Sequence, residues 1–108
     1  MKSNFQGKEP LLSDFDGDQE ISELIELFVA EMPGKVHDLL EAFEKGRTDQ
    51  LVRLAHEIGE GAMSYGFPSI MSAAMDVEKS GKGDKDIEDL RLQIDALVNL
   101  CSRAGISP

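Results

Sequence analysis

A single cysteine, Cys101, is all the thiol chemistry in this 108-residue chain. With no second cysteine there is no disulfide framework. Cys101 also falls at core spacing in a helical pattern, so a buried structural thiol and a reducing compartment, the cytoplasm, are expected. Basic residues are scarce as well: 11 Lys and Arg stand against 21 Asp and Glu, a net charge of -10. Such a field repels nucleic-acid phosphates and anionic membrane surfaces, which leaves proteins as the expected partners and argues against nucleic acid or membrane. No apolar run is long enough to span a bilayer, and no basic segment followed by an apolar stretch opens the chain as a secretory leader would. Sustained period-two alternation and β-branched runs bounded by turn residues are missing too, so no sheet is expected. There is no internal repeat and no low-complexity tract.

What remains is 41% hydrophobic and 30% charged residues, the composition of a soluble globular chain with one modest core. Residues 1–17 lack periodicity and read as an N-terminal arm, with Leu11, Leu12 and Phe15 available to pack back on a domain spanning residues 18–108. From Asp18, a candidate N-cap, apolar residues recur at Ile21, Leu24, Ile25, Phe28 and Met32, the stripe of an amphipathic helix. Pro33 either kinks that helix or opens a new one, and Val36, Leu39, Leu40 and Phe43 continue the stripe to Gly46. After Thr48 and Asp49 comes a further stripe, Leu51, Leu54, Ala55, Ile58, Ala62 and Tyr65, ending at Gly66. Pro68 starts the next helix, with Ile70, Met71, Ala74 and Val77, and Ser80 to Asp84 reads as a glycine-rich break. Asp84 or Asp86 then caps a last helix carrying Ile87, Leu90, Ile94, Leu97, Val98 and Cys101. The short connections favour an all-α, up-and-down antiparallel four-helix bundle with an additional N-terminal helix or arm.

Residues 55–68, AHEIGEGAMSYGFP, hold a histidine and two glycines within one helical stretch. Glycine in a helix interior costs about 1 kcal/mol relative to alanine, so the pair is expected to let something large, a docking partner, come close to His56. On a helical wheel at about 100° per residue, His56 lies opposite the apolar stripe and faces outward. Its neighbours on that face are Val52, Gly59, Glu60 and Met63. Apolar area around a bare glycine is what a docking surface for a partner needs. The plainer reading is that a histidine on a helix surface is only a polar residue.

The run Leu54-Ala55-His56-Glu57-Ile58, followed by Ala62 and Tyr65-Gly66-Phe67-Pro68 and preceded by Phe28, Glu31, Pro33 and a Lys45-Gly46 turn, resembles the histidine phosphotransfer (HPt) domain family. The likeness runs without gaps over about residues 20–80, and the final helix completes the family's bundle. It implies that His56 is the phosphorylated histidine. It implies that the chain carries phosphoryl groups between aspartates of receiver domains in multistep two-component signalling, as a monomer with neither catalysis nor cofactor of its own. The partners implied are a response-regulator receiver domain, a hybrid sensor histidine kinase, or both, with the receiver contributing Mg²⁺ and its acidic pocket. An exposed imidazole keeps a pKa near neutrality, so a fraction is unprotonated and nucleophilic.

The sequence departs from the family pattern just after the histidine. Gly59 stands where a lysine is expected and Glu60 where a glycine is expected, while Met63 and Ser64 occupy positions where smaller residues are common. A lysine steadies phosphate by charge; Glu60, one turn from His56, opposes a phosphoryl dianion and pairs with protonated His56. The alternative reading is therefore a degenerate module that binds a receiver or kinase through the Val52–Met63 face without being phosphorylated. Other chemistry finds less support. His56 and Glu60 could present two metal ligands, but di-metal bundles use Glu-x-x-His, and the residues three before His56 and His37 are Arg53 and Gly34. His37 reads as a solvated surface residue, and no nucleophilic triad is evident. Met63, Met71 and Met75 at helical spacing suit core or interface packing. The acids from Asp84 to Asp89 suit a solvated helix start.

Overall fold

The structure, a computed structural model, describes residues 9–83 and 86–107. Among the described residues four helices carry the fold: α1 (Ser22–Glu44), α2 (Thr48–Ser64), α3 (Pro68–Lys82) and α4 (Ile87–Arg103). Pro33 does not divide the first stripe, because α1 runs through it for 23 residues. Proline removes one backbone hydrogen bond and crowds the preceding turn, at a cost of about 3 kcal/mol. The burial of Ile25, Phe28 and Met32 before it and of Leu39 and Ala42 after it keeps both halves on one core. The helix also begins later than the sequence suggests. Asp18 forms a separate turn, its carboxylate accepting from the Glu20 N–H at 2.9 Å, and Ile21 is the residue that flanks Ser22.

The helix ends follow from their glycines. Gly46 (φ +69°) and Gly66 (φ +84°) take the left-handed conformation. Behind them the Arg47 N–H reaches the Ala42 carbonyl at 2.9 Å and the Phe67 N–H reaches the Ala62 carbonyl at 2.8 Å. Bonds of this span satisfy the orphan carbonyls of a helix terminus and reverse the chain within three residues. Pro68 then occupies the first turn of α3, where its missing N–H costs nothing. The expected break at Ser80–Asp84 starts later, since Ser80 and Gly81 belong to α3. Asp86 caps α4 through the Glu88 N–H; Asp84, the other candidate cap, lies outside the described residues.

Packing runs from each helix to the next, and α4 also closes on α1. Phe28 meets Gly61 and Lys35 meets Glu57 between α1 and α2; Ala74 meets Gly59 and Glu78 meets His56 between α2 and α3. The core is a continuous cluster with Leu39, Leu51, Ile58, Ile70, Ile94 and Leu97 essentially sealed from solvent. Cys101 is buried in it, as its spacing implied, and burial pushes its thiol up to about 12. Such a thiol is inert at neutral pH.

One small sheet corrects the expectation of none. Leu11–Leu12 (β1) pairs in parallel with Ala104–Gly105 (β2), in register Leu11 to Ala104 and Leu12 to Gly105. Two-residue strands have no period to read, which is why the sequence hid them. Beyond β1, Ser13 is buried and donates to the Tyr65 carbonyl, while the Asp14 N–H donates to the Gly66 carbonyl at 2.7 Å. A side chain at Gly66 would strike Ser13 Oγ at 2.6 Å and Phe15 Cδ2 at 2.8 Å, so this segment lies directly on the α2–α3 turn.

Candidate phosphoacceptor site

The buried side of α2 is set by Leu51, Ala55, Ile58 and Ala62, which leaves His56 pointing outward with its side chain 52% exposed. Both ring nitrogens meet carboxylates. Nε2 lies 3.2 Å from Glu60 Oε2 on the same helix, and Nδ1 lies 3.2 Å from Glu78 Oε1 on α3. The other oxygen of Glu78 accepts from Lys82 Nζ at 3.1 Å. The hydrogen bond to Glu78, then its charge and that of Glu60, raise the His56 pKa above the usual imidazole value. In turn Lys82, followed by His56, holds the Glu78 carboxyl below its ordinary range.

The two carboxylates are not equivalent. Ionised carboxylates only accept, and a neutral imidazole donates from one nitrogen only, so both contacts exist together only for the imidazolium. When the ring loses its proton, one contact must go. Glu78 is 20% exposed and anchored at its second oxygen by Lys82, whereas Glu60 is 67% exposed and, among the described residues, held by His56 alone. The contact to lose is that with Glu60. What remains is an imidazole with Nδ1–H donating to Glu78 and a lone pair on Nε2 directed to solvent.

Beside the ring lies a shallow groove of about 280 Å³, lined by His56, Gly59, Glu60, Met63, Met71, Met75 and Glu78. Met63 is 63% exposed and Met75 49%. The groove is therefore an apolar depression with an imidazole and two acids at its edge. Its far side comes from α3, whose Met71, Met75, Glu78 and Lys82 follow one another at four-, three- and four-residue intervals.

The residues named from sequence separate into two groups. His56, Glu60 and Met63 do share one outward face. Gly59 and Val52 face α3 instead: a Cβ on Gly59 would sit 3.4 Å from Ala74 Cβ, and Val52 Cγ2 would be 2.6 Å from a Cβ on Gly81. The hollow at Gly59 is thus filled by α3 rather than left open, though the residue still lines the groove floor. Gly61 serves the opposite helix, where a Cβ would stand 2.8 Å from Phe28 Cε1. The two glycines of the motif admit two neighbouring helices. Glu78 is the site residue the sequence reading missed, and Met71 and Met75, read there only as core or interface packing, join it from another helix; the 71–75–78–82 spacing is the available signal. His37 is exposed on α1 with Asp38 and Glu41, their ligand-type atoms within 4.8 Å of one another, and Glu41 is already paired with Lys45 at 3.0 Å.

Among the described residues no helix is long and apolar enough to cross a membrane. Compared with protein families, residues 23–104 match the model described as Hpt domain. No curated protein and no solved structure matches the chain.

Proposed function

Because this chain belongs to the Hpt domain family, whose members are phosphocarrier modules of two-component phosphorelays rather than catalysts, we propose that His56 is its phosphoacceptor. The observation that carries the reading is the asymmetric clamp on the ring. Glu78, pinned by Lys82, holds Nδ1–H, and the Nε2 lone pair is covered only by the exposed Glu60. In this reading Nε2 attacks the phosphorus of a receiver's aspartyl phosphate. The N–P bond forms as the P–O bond to the aspartate breaks, and that electron pair leaves on the carboxylate. The ring becomes a phosphoimidazolium whose proton stays on Nδ1 and is donated in a hydrogen bond to Glu78, where the carboxylate offsets the new positive charge. Return transfer to another receiver reverses these steps. The chemistry of phosphoryl transfer is mostly positioning, which a rigid helix face supplies.

The bundle behind the site is read as up-and-down and antiparallel, supported by the three-residue turns and by the opposed pairings of Phe28 with Gly61 and Lys35 with Glu57. Residues 18–108 are the unit that carries the site, acting as a monomer, with 1–17 as its arm. The partner is a receiver domain, free or within a hybrid kinase, seated over the methionine groove.

The same clamp supports a second reading. A ring bonded by two carboxylates is held as imidazolium, and an imidazolium is no nucleophile, so a docking module that is never phosphorylated is the competing function. Phosphotransfer from a panel of phosphorylated receiver domains decides between them. Transfer to the native protein that is lost in His56→Gln supports the carrier. No transfer to the native protein, with clear transfer to Gly59→Lys/Glu60→Gly, supports the docking module.

A further inference from the structure

The exposed acid at the reacting nitrogen poses a problem that no cation among the described residues solves, since none pairs with Glu60 apart from His56. Lys82 is committed to Glu78, and Lys35 lies 3.9 Å from Glu57. The chain as a whole carries a charge of -10. A receiver bringing a phosphoryl dianion and an acidic pocket therefore meets like charge at the atom it must reach.

Taking the phosphoacceptor reading of His56 as its basis, we propose that the receiver that docks here carries a lysine or arginine that pairs with Glu60 and draws it off Nε2, so that docking uncovers the nucleophile. The groove fixes where that cation must stand. An apolar side chain of the receiver enters among Met63, Met71 and Met75, and the cation lies beside it over Glu60, which precedes Met63 by one turn. Flexible methionines accommodate an apolar knob of varied shape, so discrimination falls to the charge. Glu78 cannot play this part, since Lys82 already holds its second oxygen and it is largely covered. Glu60 thus has two opposed roles. It blocks the imidazole toward anything that arrives without a cation, and it attracts the receiver that brings one.

These roles predict effects of opposite sign for one substitution. Glu60→Ala, which leaves no group able to bond Nε2, is compared with the native protein toward two phosphoryl donors. The first is phosphoramidate, which carries no cationic surface; the second is a phosphorylated receiver that transfers to the native protein. Toward phosphoramidate, Glu60→Ala is expected to react several-fold faster. Toward the receiver, transfer at low concentration is expected to fall about tenfold at low salt, with the difference shrinking as ionic strength rises. Reversing the receiver's docking-face lysine or arginine to glutamate should weaken transfer to the native protein, and Glu60→Lys should restore it. Faster transfer from both donors in Glu60→Ala, or a receiver reaction indifferent to salt and to the charge exchange, would overturn the proposal. A native protein that accepts from neither donor would instead remove the carrier reading, and this inference with it.

Discussion

Replacing Gly61 by alanine tests whether the glycines of the histidine helix serve helix packing. On propensity alone the change should stabilise α2 by about 1 kcal/mol. The new Cβ, however, would lie 2.8 Å from Phe28 Cε1 and 3.2 Å from Cδ1, against a comfortable carbon–carbon separation of about 3.5–4.0 Å. Phe28 has little room to yield. It is buried, stacked on Phe67 at 5.3 Å between centroids and tilted against Tyr65 at 5.7 Å. Overpacking of this kind costs about 1–3 kcal/mol, so the net effect of Gly61→Ala is a loss of about 1 kcal/mol and at most about 2 kcal/mol. That corresponds to a fall in Tm of about 4 °C per kcal/mol for a domain of this size. Gly59→Ala is the control: its Cβ would meet Ala74 Cβ at 3.4 Å, the edge of ordinary contact, and the substitution should be neutral or stabilising. Urea unfolding followed by far-ultraviolet circular dichroism reads both, the chain having no tryptophan. A Gly61→Ala protein more stable than the native one by the propensity gain of about 1 kcal/mol, at unchanged m, would refute the reasoning.

Two further predictions rest on titration and burial. Glu78→Gln should lower the His56 titration midpoint more than Glu60→Ala does, read from the imidazole resonances by NMR, because the Glu78 hydrogen bond is the largest cause of the upward shift. The raised His56 pKa gives stability that is complete below 6.5 and is lost as pH rises through the folded value. The lowered Glu78 pKa gives stability that is present above 4.5 and is lost as pH falls through its folded value. The native advantage over Glu78→Gln should therefore peak between these limits, and an advantage that grows toward alkaline pH would contradict the pairing. Cys101, its thiol pushed up to about 12 by burial, should react with a thiol reagent at about pH 8 only as fast as the protein unfolds. Prompt modification of the folded protein would show the core to be open there.

Much of this was legible because helices write their buried face at fixed intervals. The stripes Leu51–Ala62 and Ile94–Cys101 became core, and Gly46 and Gly66 marked helix ends through the left-handed backbone they adopt. Of the two outcomes left open at Pro33, the new helix does not occur, because the local cost of the proline is outweighed by burial on both sides, which sequence spacing alone does not weigh. The same holds for Ser80 and Gly81: residues typical of a break stay helical where Ser80 is buried and Gly81 receives Val52. At the site, the outward direction of His56 and its pairing with Glu60 followed from one helix and were readable. Glu78 and the α3 methionines required knowing which face of the next helix lies alongside, a tertiary fact. The role of Gly59 shifted for the same reason, since a bare position on one helix is empty only until its neighbour is placed.

The most direct test is long-range proton–nitrogen correlation NMR of the protein after it has been phosphorylated by a receiver domain, which identifies the ring atom that bears phosphorus. The expected result is a single phosphohistidine at His56, with phosphorus on Nε2 and a proton retained on Nδ1. Phosphorus on Nδ1, or no phosphohistidine with any receiver that binds, would contradict the account.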